Sequence, residues 1–189
     1  MKESSLAHKY LDGLKGIEIG GASHNPFGLN TINVDITENS LSSRKSAEQG
    51  LKPMHVDVVA NGDDLPFEDN SYDFVISSHV IEHFYDPIKA IKEWARVAKK
   101  YIFIICPHKD RMFDRDKKNT TVCTLYGRQD NPKVQTDFSH QSYWDTECFV
   151  YLLNELKDGI FEDIVFDIIE VQDPDDKVGN GFSVVIKLY

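Results

Sequence analysis

The sequence predicts an α/β protein built on a doubly wound, mostly parallel sheet that ends in an antiparallel hairpin. Three observations carry this. Short β-branched runs alternate with helical patterns between Gly16 and Cys106. Two of the runs, "YDFVISS" (Tyr72–Ser78) and "YIFIIC" (Tyr101–Cys106), are nearly continuous apolar stretches, as strands covered on both faces should be. The last two strand patterns are joined by "DPDDKVGNG", a segment dense in turn-forming residues that returns one strand antiparallel to the other.

Taken in order, the strand patterns are "GIEIG" (Gly16–Gly20), "NTINVDI" (Asn30–Ile36), "MHVDVV" (Met54–Val59), then Tyr72–Ser78 and Tyr101–Cys106. Ser40 to Gln49 is a weak helix candidate between the second and third. Between the fourth and fifth, Asp86 is placed to cap a helix with Pro87 at its first position. Ile88, Ile91, Trp94, Ala95 and Ala98 then recur at helical spacing and make a buried stripe. "DTECFVYLLNELKDG" reads as a second helix, capped by Asp145 and closed by Gly159, with Phe149, Leu152, Leu153 and Leu156 on one face. "IFEDIVFDIIEVQ" and "GFSVVIKLY" complete the hairpin.

The 189 residues, 41% hydrophobic and 28% charged, describe a single globular domain with enough chain to bury its own core. A net charge of −10 argues against nucleic acid or an anionic membrane as the main partner, since both need clustered Lys and Arg. Cys106, Cys123 and Cys148 form no paired framework, and no segment has the ~18 consecutive apolar residues of a membrane span. A reducing, cytoplasmic setting is expected, with Cys106 as a packing residue. The segment at about 107–144 lacks clear periodicity. It carries His108, Arg111, Asp114, Arg115, Asp116, Asp137 and His140, and is read as an insertion covering the substrate side of a site.

Small residues at Gly20, Gly21, Ala22 and Ser23 follow the first strand and let backbone amides approach a ligand closely. Asp35 ends the second strand, where a carboxylate in an α/β crevice can accept both hydroxyls of a ribose. "HVIEH" (His79–His83) matches a zinc-protease pattern, but that chemistry needs both histidines on one helical face, and here a strand runs straight into His79. A hydrogen bond pinning the loop is the competing role for His83.

The stretch "ANGDDLPFEDNSYDFVISSHVIEHFYDP", continued by "DPIKAIKEWARVAKKYIFIICPHKD", closely resembles class I S-adenosylmethionine-dependent methyltransferases of the type 11 group. The resemblance covers about Gly16 to Lys109, and more loosely the rest. It implies a Rossmann-like, doubly wound, seven-stranded sheet and S-adenosyl-L-methionine as cofactor. It also implies a set of contacts: Glu18, Gly20 and Gly21 around the methionine part of the donor, Asp35 on the ribose, Ile36 beside the adenine, and Asn61 and Gly62 at the adenine edge. Ser78 and His79 would lie near the methyl group. The chain departs from the family pattern in its Gly-Gly-Ala-Ser turn, in the short connection around "SHNPFG", and in lacking a Lys-Pro-Gly-Gly turn after the Trp94 helix.

Methyl transfer from a sulfonium is an in-line displacement, and an oxygen nucleophile also needs a base. His79 and His140 are the catalytic candidates, with His108 behind them; no metal ligand set is assigned, Asp114 and Asp116 being read as partners of Arg111 and Arg115. The expected acceptor is a small molecule, with a sugar or glycan precursor as the class suggested by such relatives. Two other readings stay open: a catalytically silent domain that binds the donor or a protein partner, and a nicotinamide oxidoreductase, which the terminal hairpin disfavours.

Overall fold

A computed structural model describes residues 4–21, 27–38, 54–133, 139–159 and 163–189. The expected helix at Ser40–Gln49, and Ala22, Ser23 and Asp137, lie outside these. Seven strands, β1 (Lys15–Ile19), β2 (Asn30–Asp35), β3 (Val58–Val59), β4 (Tyr72–Ser78), β5 (Ala98–Pro107), β6 (Phe166–Gln172) and β7 (Gly181–Leu188), form one sheet in the order β3-β2-β1-β4-β5-β7-β6. The first five pair in parallel. β7 inserts antiparallel between β5 and β6, so the terminal hairpin is as expected from its turn chemistry.

Helices α1 (Ser5–Leu11), α2 (Pro87–Val97), α3 (Val122–Asp130) and α4 (Thr146–Gly159) and two 3-10 turns, Ile81–His83 and Lys109–Arg111, complete the described elements. Along β5, successive side chains point to opposite faces, and both sets are buried. Ile102 and Ile104 pack with Trp94 of α2 and Leu152 and Leu156 of α4. Phe103 and Ile105 pack with Leu6, Ala7 and Leu11 of α1 and with Phe27. At ~1.5–3 kcal/mol per large side chain removed from water, these two layers outweigh any local propensity. Asp86 caps α2 by accepting the Lys89 N–H at 3.1 Å. Cys106 is fully buried. No helix among the described residues is long and apolar enough to cross a membrane.

Several bounds differ from expectation. β3 shrinks to two residues at the sheet edge. α2 passes directly into β5, whose first residue, Ala98, serves as the helix cap. That accounts for the missing glycine turn: no separate connection exists. The β6 pattern starts only at Phe166. In the β6–β7 connection, buried Asp175 collects four backbone N–H groups, from Lys177 and Val178 on Oδ1 and from Gly179 and Gly181 on Oδ2, at 2.6–3.1 Å. This fixes the connection, and through it the position of Asn180.

Candidate active site at the carboxyl edge of the sheet

Parallel strands deliver their carboxyl ends to one edge, where helix-to-strand chemistry leaves a crevice. At the end of β1, Gly20 has φ +73° and donates its N–H to Val34 O at 2.8 Å. A Cβ there would meet Val80 Cγ2 at 2.5 Å, so only glycine fits. A Cβ on Gly21 would lie 2.6 Å from Asn33 Oδ1 and 2.9 Å from Glu18 Oε1. Asn33 Oδ1 is buried and has no hydrogen-bond partner, leaving an unused acceptor directly beside the turn.

Glu18 lies against this turn, 3% exposed. Burial raises its carboxyl to about 7, against the opposing pull of Lys177 and of hydrogen bonds from the Phe27 backbone and the Thr31 side chain. It is a packed support of the turn, with little surface to offer a ligand. Asp35 is half-buried at the end of β2, and its carbonyl accepts the Ala60 N–H at 3.0 Å. Ile36 beside it is 41% exposed, an apolar surface suited to a flat base. Asn61 is exposed, and its carbonyl accepts the Asp64 N–H at 3.0 Å. The Gly62 carbonyl accepts the Trp94 indole N–H at 2.8 Å, and the residue is buried. The edge therefore fits a nucleoside with an amino-acid tail: an acidic hydrogen-bond acceptor, an apolar face and a close-approach turn stand on adjacent strands.

Ser78 ends β4 and His79 follows it. His79 takes φ +57°, an unusual conformation for a residue with a side chain, and its N–H donates to Ile105 O at 2.9 Å. Its Nε2 bonds Asn180 Oδ1 at 2.9 Å, and its Nδ1 lies 3.2 Å from Ser78 Oγ. Because the amide oxygen can only accept, Nε2 carries the proton and Nδ1 is the acceptor. Burial lowers the His79 pKa below 6.5, although the Asn180 bond and Asp175 oppose this. The zinc-protease geometry is absent: His79 stands at the strand end, and His83 sits in a single 3-10 turn, Ile81–His83.

His140 arrives from the segment before α4. Its Nδ1–H donates to Asp114 Oδ2 at 2.6 Å, and its Nε2 lies 3.8 Å from Glu82 Oε1. The rings of His83 and His140 meet edge-on at 4.8 Å between centroids. Gln141 and Ser142 donate their N–H groups to the Glu82 carbonyl at 2.8 and 3.1 Å. Arg128 of α3 binds this crossing to the loop before α2, through Tyr85 O, Ser142 Oγ and Gln141 O. The expectation that Asp114 pairs with nearby arginines is corrected here. Asp114 is 5% exposed and bonds His140, while Arg111 pairs with Asp173. His108 caps a 3-10 turn through Asp110 and packs on Phe182. Glu82, 1% exposed with its carboxyl raised by burial to about 8, was legible only as part of the protease pattern.

Residues 17–106 match a family model described as a methyltransferase domain. Ajmaline N-methyltransferase of Rauvolfia serpentina is 35% identical over 74 residues, which is 39% of this chain and 25% of that protein. Demethylmenaquinone methyltransferase of Bacillus cereus is 33% identical over 76 residues, 40% of this chain and 32% of that protein. The chain matches no more than 40% of the length of the curated relatives reported first. A solved structure from Thermotoga maritima, described as an S-adenosylmethionine-dependent methyltransferase and possible histamine N-methyltransferase, superposes with a TM-score of 0.57. It is 19% identical and covers 96% of this chain and 85% of its own, a likeness of fold. The stretch matched by the family model, residues 17–106, includes the Gly20–Gly21 turn, His79 and β5 up to Cys106, and the named relatives differ in the acceptors their names specify. Over residues 17–106 the chain is similar to the methyltransferase domain of the type 11 group, and its fold is the one seen in S-adenosylmethionine-dependent methyltransferases.

Proposed function

We propose that this chain transfers a methyl group from S-adenosyl-L-methionine to a small-molecule acceptor, with a sugar or glycan precursor as the acceptor class to test first. The convergence of the Gly20–Gly21 turn, Asp35, Ile36 and the Ser78–His79 strand end on one sheet edge supports the reading. When bound, the donor supplies an electrophilic methyl on a positively charged sulfur. In this reading Asp35 accepts the ribose hydroxyls, Ile36 lies against the adenine, and Asn61 with the Gly62 N–H faces its edge. The amides of Gly20 and Gly21 meet the methionine part, supported by Glu18. Residues 107–144 cover the acceptor side.

His79 is the proton acceptor in this scheme. Burial holds its imidazole neutral, and the Asn180 bond leaves the lone pair on Nδ1 beside Ser78. His140, the other candidate, turns its Nε2 toward buried Glu82, so it is a poorer choice for meeting an acceptor.

Calorimetric titration with S-adenosylhomocysteine, followed by turnover with candidate acceptors, tests the proposal. Asp35→Ala should weaken binding about 10-fold or more, the loss expected for hydrogen bonds to a charged group, with the melting temperature little changed. His79→Gln should reduce turnover and leave binding of the demethylated donor intact. Binding without turnover for any acceptor points to the silent domain. Absence of binding by the folded chain overturns the proposal.

A further inference from the structure

Beside the donor edge lies a cluster that the scheme above does not use. Neither carboxylate oxygen of Glu82 has a hydrogen-bond partner, although the side chain is 1% exposed. Oε1 is 3.6 Å from His83 Nε2 and 3.8 Å from His140 Nε2, beyond hydrogen-bond reach. His140 Nδ1–H donates to Asp114, and the other ring nitrogen, Nε2, is the atom that faces Glu82. One ligand atom from each of Glu82, His83 and His140 lies within 4.8 Å of the others. The site thus joins a carboxylate oxygen and two imidazole nitrogens, with a second buried carboxylate, Asp114, behind one ring. Unpartnered buried acceptors are costly, and a cation at their centre removes that cost.

We propose that Glu82, His83 and His140 bind a divalent transition-metal ion of the zinc type, with Asp114 as the positioning residue for His140. Zinc–ligand bonds of ~2.0–2.1 Å place tetrahedral ligand atoms about 3.3 Å apart, so the two Glu82 separations close by a few tenths of an ångström and the two imidazoles, within 4.8 Å of each other, by up to about 1.5 Å on binding. Two imidazoles and one carboxylate suit borderline metals and serve magnesium or calcium poorly. The carboxylate behind His140 is the arrangement that fixes the tautomer and orientation of a metal-bound histidine. The two segments that supply the ligands are already tied together by the hydrogen bonds to the Glu82 carbonyl and by Arg128. Phe113, stacked on His140 at 5.2 Å, covers one ring face. Three protein ligands leave a coordination position for water or an acceptor oxygen. That use rests on the methyltransferase reading; binding of the ion does not.

The test uses the full chain, stripped with chelator and dialysed against Zn²⁺ alone, with bound metal measured by elemental analysis. A parallel sample with Co²⁺ is read by its visible spectrum. The expected result is one equivalent of tightly held Zn²⁺ and cobalt bands of low coordination number. His83→Ala, at a side chain 33% exposed, should abolish both. Glu82→Gln keeps the volume and should weaken binding strongly, Asp114→Asn should weaken it about 10- to 100-fold, and His55→Ala should leave it unchanged. A folded wild-type chain that retains no stoichiometric metal, or a His83→Ala chain that binds as well as wild type, overturns the inference. Titration of the same samples with S-adenosylhomocysteine keeps the two proposals apart, since loss of metal with intact nucleoside binding counts only against this one.

Discussion

Replacing Glu18 with Gln removes a charge from the support beneath the Gly20–Gly21 turn while keeping the volume and one carbonyl acceptor. The Glu18 carboxyl rises from an ordinary 4.5 to about 7 on folding, chiefly through burial. Because the folded chain binds this proton more tightly than the unfolded chain does, its stabilising contribution is fully present below pH 4.5. It is lost as pH rises toward 7 and stays lost above that. At about 1.4 kcal/mol per pH unit, the span corresponds to about 3 kcal/mol. Urea unfolding of both proteins from pH 4.5 to 8 reads the effect as a difference, in which the other titrations, that of Glu82 included, cancel. The Gln variant should gain about 3 kcal/mol on the wild type between pH 4.5 and 8, most of it by pH 7. The competing physics is an ion pair with Lys177, whose Nζ sits 3.5 Å over the centroid of the Phe27 ring and whose charge opposes the rise. If the stability difference is flat with pH, Glu18 is ionised throughout, the pair dominates over desolvation, and the reasoning fails.

Gly20→Ala places a Cβ against Val80 at a residue with positive φ, and should cost about 1–3 kcal/mol in thermal unfolding while weakening the binding of S-adenosylhomocysteine. Trp94→Phe leaves the Gly62 carbonyl without its buried donor and opens a small cavity; a loss of about 2–3 kcal/mol in urea unfolding is expected. Arg128→Met removes three hydrogen bonds that hold the chain crossing over the Glu82 loop. Hydrogen exchange at the Gln141 and Ser142 amides should accelerate by at least 10-fold, and unchanged protection would mean that the Glu82 carbonyl alone secures the crossing.

What could be read from residue order follows from how local each signal is. β4 and β5 were legible because both faces of each are buried, Phe74 and Ile76 toward α1 and Val75 toward α2, which leaves no polar alternation to confuse with a surface strand. α2 was legible because Asp86 and Pro87 mark its start chemically. α1 was missed: it is seven residues long, and Ser4 caps it with little apolar pattern behind. α3 was missed because Leu125 is its only buried residue; its role is to present Arg128 to a distant loop, which leaves no periodic trace. The strand-end positions of Asp35, Ser78 and His79 could be placed from sequence, since strand order sets which ends meet. The fixing of His79 by Asn180 could not, because it depends on four N–H bonds to Asp175 in a hairpin a hundred residues away.

The same distinction explains how one short motif serves two sites. In "HVIEH", His79 directly follows β4 and is held to β5 by its main-chain bond to Ile105, while Glu82 and His83 belong to the turn that follows. The positive φ at His79 is the point where the chain changes direction, so adjacent residues of the motif face different surroundings. His79 turns to Asn180 at the carboxyl edge of the sheet. Glu82 and His83 turn to His140, which the segment before α4 carries across them. A helix through this stretch would have put both histidines on one face and joined the two sites into one. The left-handed residue keeps them separate yet only three positions apart, so substitutions at Glu82 and at His79 are expected to dissociate: metal content responds to the first, and methyl turnover with metal retained responds to the second.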